Sequence, residues 1–139
     1  MNVLVDTSVW SLVFRRKAAV LNELEKSIVA EFIELVNEGR VRIIGLVRQE
    51  CLTGVKTIAQ YEKLRTDLED FSDETVGTED HEAAAKCGNA CRAKGIAISL
   101  TDVLICQIAM SRGFSIFTTD SDFQNYAKVL PIRLHAPRQ

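Results

Sequence analysis

Two apolar runs in this chain end on a carboxylate. "NVLVD" delivers Asp6, and "FSIFTTD" delivers Asp120. A third aspartate, Asp102, opens an otherwise apolar helical stretch, "SLTDVLI", and Glu50 stands among Val47, Cys51 and Leu52 on a mixed helix. If the fold gathers these side chains into one cleft, like charges raise one another's pKa and cost stability unless a cation neutralises them. An all-oxygen donor set favours a hard divalent ion, Mg²⁺ or Mn²⁺. Such ions take up substrate phosphate oxygens, and a pair of them can clamp the attacking and leaving oxygens of a phosphodiester. Each acid has a plainer reading by itself. A strand-terminal Asp caps a helix or a turn, an Asp in a first helical turn complements the helix dipole, and surface helices are rich in Glu. The joint pattern points to chemistry: two apolar strands ending in Asp, and an Asp opening an apolar helix.

Hydroxyls flank these acids. Thr7 can orient Asp6 or bond a metal-bound water, whereas Ser8 reads first as a cap for backbone groups. Strand alternation puts Thr118 on the face of Asp120 and Thr119 on that of Phe117, so Thr118 is the threonine expected at the cleft. Asp122 follows Asp120 by two and is either an auxiliary acid or a cap for "FQNYA".

The elements that must position these residues alternate between strand and helix. "NVLV" is a buried β-branched strand, followed by a helix "SVWSLVF" capped by Thr7 or Ser8. Apolar residues recur at helical spacing from Glu25 to Asn37, and Gly39 stops that helix. "RVRII" is a strand, "LVRQECLTGV" a short helix, and "TIAQYEKLRTDLEDF" an amphipathic helix with Ile58, Tyr61, Leu64, Leu68 and Phe71 on one side. "ETV" is a further candidate strand. A helix capped by Thr78 runs to Gly95, and another starts at Ser99 or Thr101. The stretch from Phe114 to Asp120 is a buried strand, "DFQNYA" a short helix, and "VLPIRL" a final edge strand that tolerates Pro131. This alternation predicts an α/β fold with a mainly parallel sheet of four to five strands between helical layers. In open sheets of this kind ligands bind beyond the carboxyl ends of the strands, where Asp6 and Asp120 fall.

The 139 residues suit one domain spanning 1–139, with neither linker nor repeat. A net charge of -2 argues against a protein that holds nucleic acid by overall charge, but not against one with a local basic patch and metal ions. No run is apolar enough to span a membrane and no secretory leader is recognisable, so a cytoplasmic protein is expected. Cys51, Cys87, Cys91 and Cys106 lie in apolar helical settings and read as buried free thiols. Cys87 and Cys91 share a helix face, but no second pair matches them to complete a zinc site.

The stretches "VLVDTSVW", "GIAISLTDVLICQIAMSRG" and "IFTTDSDF" resemble the signature blocks of PIN-domain ribonucleases, most of all the small VapC-type toxins of bacterial toxin–antitoxin pairs. The resemblance implies a three-layer α/β/α PIN-like domain and metal-dependent endoribonuclease activity. It implies Asp6, Glu50, Asp102 and Asp120 as the catalytic acids, with Asp6, Asp102 and Asp120 binding Mg²⁺ (or Mn²⁺). Thr7, Thr118 and Asp122 are then auxiliary. It further implies an RNA substrate, a homodimer and a cognate antitoxin that covers the cleft, with Leu12, Phe14, Leu24, Ile28 and Phe32 as groove residues or ordinary core. Trp10 belongs in the core or at the base of the cleft. Arg15, Arg16 and Lys17 are placed to track RNA phosphates, with Arg40, Arg42 and Arg48 as further candidates; a run this short is otherwise simply solvated.

Two other classes fit the residues less well. Receiver-type and phosphotransfer domains also set Asp at parallel strand ends around Mg²⁺. The phosphotransfer pattern wants an acid where Ser8 stands, and the receiver pattern wants adjacent acids early and a Lys at a late strand end. A non-catalytic interaction module draws its support from the amphipathic middle helices.

Overall fold

A computed structural model of the chain describes residues 1–15 and 17–138. Its centre is a four-stranded, all-parallel sheet in the order β3-β2-β1-β4. The strands are β1 (Val3–Val5), β2 (Val41–Ile44), β3 (Asp73–Glu74) and β4 (Ser115–Phe117). The register pairs Val3 with Val41 on one side and Val3, Leu4 and Val5 with Ser115, Ile116 and Phe117 on the other. β1 and β4 are wholly buried, as parallel strands covered on both faces must be. Three helix-bearing connections link the strands. α1 (Thr7–Phe14) and α2 (Glu23–Asn37) precede β2, α3 (Gly45–Leu52) and α4 (Ile58–Leu68) precede β3, and α5 (Thr78–Ala93) and α6 (Leu100–Arg112) precede β4. α7 (Asp122–Tyr126) closes the series. This is the expected three-layer α/β/α architecture.

The topology fixes where a site can form. The chain steps outward from β1 to β2 to β3, then returns to the far side of β1 as β4. The strand order therefore reverses between β1 and β4, and the crevice beyond their carboxyl ends opens there. Beneath it the core is aromatic. The Trp10 ring meets those of Phe32 at 5.1 Å and Phe71 at 5.0 Å, both edge to face, and its indole N–H donates to the Val5 carbonyl at 3.0 Å. Trp10 is thus core, with its one polar atom satisfied by the strand that leads to Asp6.

Several sequence expectations are corrected. The N-cap of α1 is Asp6 itself, not Thr7 or Ser8, and the cap of α5 is Gly77, closed by the Asp80 carboxylate, not Thr78. β4 ends at Phe117 rather than running to Asp120: the Phe117 carbonyl still accepts the Asp6 N–H, but the Thr119 and Asp120 N–H groups go to the Ser8 and Thr118 hydroxyls and the chain turns. "VLPIRL" does not form a strand. It reduces to one bridge between Leu134 and Ile116, with a turn at Leu130 to Ile132 around Pro131. On α4, Leu64 and Leu68 are buried, but Ile58 is 84% exposed and Tyr61 38%. Of the five suggested groove residues, Leu12, Ile28 and Phe32 are core, Phe14 packs against it and Leu24 is exposed.

The arginines set aside for phosphates are bound elsewhere. Arg48 donates to Asp73 at 2.9 Å and to the carbonyls of Leu68 and Phe71, tying α3 to the turn before β3. Arg42 pairs with Glu74 at 3.4 Å, and Arg40 donates to the Met1 carbonyl at 2.6 Å and to Glu38 at 3.1 Å. No described helix is long and apolar enough to cross a membrane.

Candidate active site

Asp6 arrives at the crevice because β1 ends there, and it stays because α1 starts there. As N-cap it is held in extended backbone geometry, and only 6% of its surface is exposed. A carboxylate this buried needs donors. Asp6 Oδ2 accepts the Ser8 hydroxyl at 2.7 Å, the Thr118 hydroxyl at 2.8 Å and the Ser8 backbone N–H at 3.4 Å. The same hydroxyls lock the turn after β4. Ser8 Oγ accepts the Thr119 N–H at 3.0 Å, and Thr118 Oγ1 accepts the Asp120 N–H at 3.0 Å. Asp120 Oδ1 in turn accepts the Asp122 N–H at 2.9 Å, which starts α7. One chain of hydrogen bonds therefore runs from the tip of β1 to the tip of β4 and fixes the acids relative to one another.

Asp102 enters from α6, whose N-cap Ser99 accepts the Asp102 N–H at 3.1 Å. Its Oδ2 accepts the Tyr126 hydroxyl at 2.8 Å. Burial raises the Asp102 pKa; the Tyr126 hydrogen bond opposes that, and the nearby charges of Asp6 and Asp120 add to it. Burial and the same hydrogen bond to Asp102 push the Tyr126 phenol upward, so it remains a donor. Glu50 comes from α3, and its Oε1 accepts the Thr7 hydroxyl at 2.8 Å.

Asp6, Thr7, Glu50, Asp102 and Asp120 line one open cavity of about 510 Å³, together with Ser8, Gln49, Thr53, Thr101 and Leu46. Among the described residues, Asp102, Asp120 and Asp122 each bring a carboxylate oxygen within 4.8 Å of the others. That spacing and an all-oxygen donor set suit a hard divalent cation, with Asp6 beside it on its hydroxyl clamp. Asp122 thus sits with the principal acids rather than behind them, and Thr118, not Thr119, reaches Asp6. Sequence reasoning missed two contributors. Ser8 bonds the acid instead of merely capping, and Tyr126 anchors Asp102; the one available signal was a tyrosine on the apolar side of "DFQNYA", whose hydroxyl had to find a partner. Of the basic run, Arg15 is exposed and lines a neighbouring cavity, Lys17 is exposed outside both, and Arg16 lies outside the described residues.

The PIN domain family model matches residues 3–129. The chain belongs to the PIN-domain family. Solved structures agree on the fold of this PIN domain. FitAcB from Neisseria gonorrhoeae superposes with TM-score 0.75 at 18% identity, covering 97% of each chain. VapBC2 from Rickettsia felis, solved bound to a DNA fragment from its promoter, gives TM-score 0.75 at 16% identity over 97% of this chain and 98% of that one. A toxin–antitoxin complex from Klebsiella pneumoniae gives 0.66 at 15% identity over 99% of each. No curated protein matches the sequence.

Proposed function

We propose that this PIN domain is a metal-dependent endoribonuclease and the toxin of a VapC-type toxin–antitoxin pair, acting as a homodimer in the cytoplasm and silenced by an antitoxin. The observation that carries the chemistry is the approach of the Asp102, Asp120 and Asp122 carboxylates to within 4.8 Å of one another, with Asp102 and Asp120 lining the cavity that Asp6 and Glu50 also line. The antitoxin partner rests on the relatives, two of which are VapBC2 and a toxin–antitoxin complex by name.

Asp102, Asp120 and Asp122 would hold the cation, with Asp6 beside it on its hydroxyl clamp. A divalent cation bound there supplies Lewis-acid stabilisation of phosphoryl charge and an activated water, Mg²⁺ and Mn²⁺ both fitting the oxygen donors. The chain's residues do the positioning. Ser8 and Thr118 fix the Asp6 carboxylate, Tyr126 fixes that of Asp102, and Thr7 steadies Glu50 at the cavity wall. Glu50 remains to orient water or take up a proton. Hydrolysis by an external water leaves a 5′-phosphate and a 3′-hydroxyl, and the 2′-hydroxyl takes no part.

The test is cleavage of RNA by the purified protein with Mg²⁺ or Mn²⁺ and with EDTA. Cleavage that EDTA abolishes and that Asp6→Asn loses supports the reading. An Asp6→Asn protein that cleaves as well as the parent refutes the assignment. A protein that cleaves no RNA under any metal condition favours the interaction-module alternative.

A further inference from the structure

The other end of α1 opens onto a second cavity, of about 300 Å³, which the acidic site does not use. Its apolar wall is Phe14, Val55 and Leu64, and its charged residues are Arg15, Lys56, Lys63 and Asp67. Lys63 pairs with Asp67 at 2.9 Å yet keeps 77% of its side chain exposed. Three cations therefore stand against one anion, on a chain whose net charge is -2. This local excess selects an anionic occupant, and the apolar wall with one aromatic ring suits a base rather than a bare phosphate.

The cavity adjoins the acidic cleft. Thr53, the C-cap of α3, lines the cleft, and the next residue, Gly54, lines the second cavity. The charge of Arg15 is also felt at Cys51, beside Glu50 on α3, as are those of Glu50 and Asp6. Thr7 at the start of α1 faces the cleft, while Phe14 at its end faces this cavity, about 10 Å away along the helix axis at 1.5 Å per residue. We infer that the Phe14–Lys56–Lys63 cavity is a nucleotide subsite for single-stranded RNA, holding a base and its two flanking phosphates beyond the cleft, at the far end of α1. The occupant follows from the proposed RNA-cleaving function, which this inference deepens.

The test separates binding from cleavage. Fluorescence anisotropy in EDTA follows a labelled single-stranded RNA of about ten nucleotides, within the span of known single-strand sites. The parent is compared with a double variant, Lys56→Met with Lys63→Met, which leaves the core aromatics untouched. Removing one lysine–phosphate interaction on a single strand lowers the log–log salt slope by about 0.7, which is about fivefold in affinity at 0.1 M salt. The double variant is expected to bind about 25-fold more weakly there, with the two proteins converging at high salt. Equal affinity and equal slope overturn the subsite. Unchanged RNA binding with an altered sedimentation coefficient also overturns it, and assigns the cavity to an interface between two copies of the chain. A parent that cleaves no RNA in Mg²⁺, with the binding loss still present, refutes the nuclease reading and leaves the subsite standing.

Discussion

Replacing Asp120 by Asn should make the metal-free protein more stable and abolish its stabilisation by metal. Asp120 has two like-charged neighbours, Asp102 and Asp122, each with an oxygen within 4.8 Å. Two unit charges at that distance repel by about 0.9 kcal/mol at the dielectric of water and by about 3.5 kcal/mol at an effective dielectric of 20. The open cavity and the exposed Asp122 place these pairs near the aqueous limit. Removing one charge of the three then relieves about 2 kcal/mol from the two pairs. The substitution is otherwise conservative, since an amide oxygen can still accept the Asp122 N–H that starts α7. For a domain of this size about 2 kcal/mol corresponds to roughly 6 °C in Tm. The assay is thermal unfolding by circular dichroism, at low ionic strength with EDTA and again with millimolar Mn²⁺. The parent should gain stability with Mn²⁺ by mass action, and Asp120→Asn should begin higher and gain little. A variant no more stable than the parent in EDTA, or one that Mn²⁺ stabilises equally, would show that these carboxylates neither strain one another nor share a cation.

Other expectations follow from particular side chains. Tyr126→Phe removes the donor to Asp102 Oδ2, and loss of such a supporting hydrogen bond should weaken Mn²⁺ binding by about 10–100-fold in calorimetric titration, with the fold intact. The Arg112 guanidinium grips Asp80 and holds its pKa down at about 2. Because the folded value is depressed, this pair's contribution is fully present above the ordinary carboxylate range, near pH 4, and lost as the pH falls towards 2; Arg112→Met should flatten the stability curve in that window, as urea melts at stepped pH would show. Burial pushes the Cys51 thiol up to about 12, and Cys87, Cys91 and Cys106 are likewise buried and raised. A thiol reagent at neutral pH should therefore label the native protein only at the rate of unfolding.

The strand–helix alternation was legible because β1, β2 and the core of β4 are short β-branched or aromatic runs, and because Gly39 after α2 and Ser99 before α6 punctuate the helices; Asn22 and Gly113, which cap the other ends, were not read from the sequence. Gly113 ends α6 at φ +71, a left-handed backbone that favours glycine. Legibility failed where tertiary partners decide. Nothing local distinguishes Ile58, left in solvent, from Leu68, fully buried, since both belong to the same helical stripe. Nothing local says that β4 stops at Phe117, because the turn beyond it is held by Ser8, more than a hundred residues away in sequence. Asp6 was visible as a strand end and Asp102 as the opening of an apolar helix. Their support was not: Ser8 and Thr118 on Asp6 and Tyr126 on Asp102 are hydrogen bonds across 2, 112 and 24 residues, set by the reversal of strand order between β1 and β4.

The most direct measurement is the anomalous difference map of a crystal soaked in Mn²⁺. A peak within metal–oxygen reach, about 2.2 Å, of carboxylate oxygens of Asp102 and Asp120 is the predicted result. Full occupancy elsewhere, or no peak in the crevice under conditions in which the protein cuts RNA, would contradict a metal-centred active site between β1 and β4.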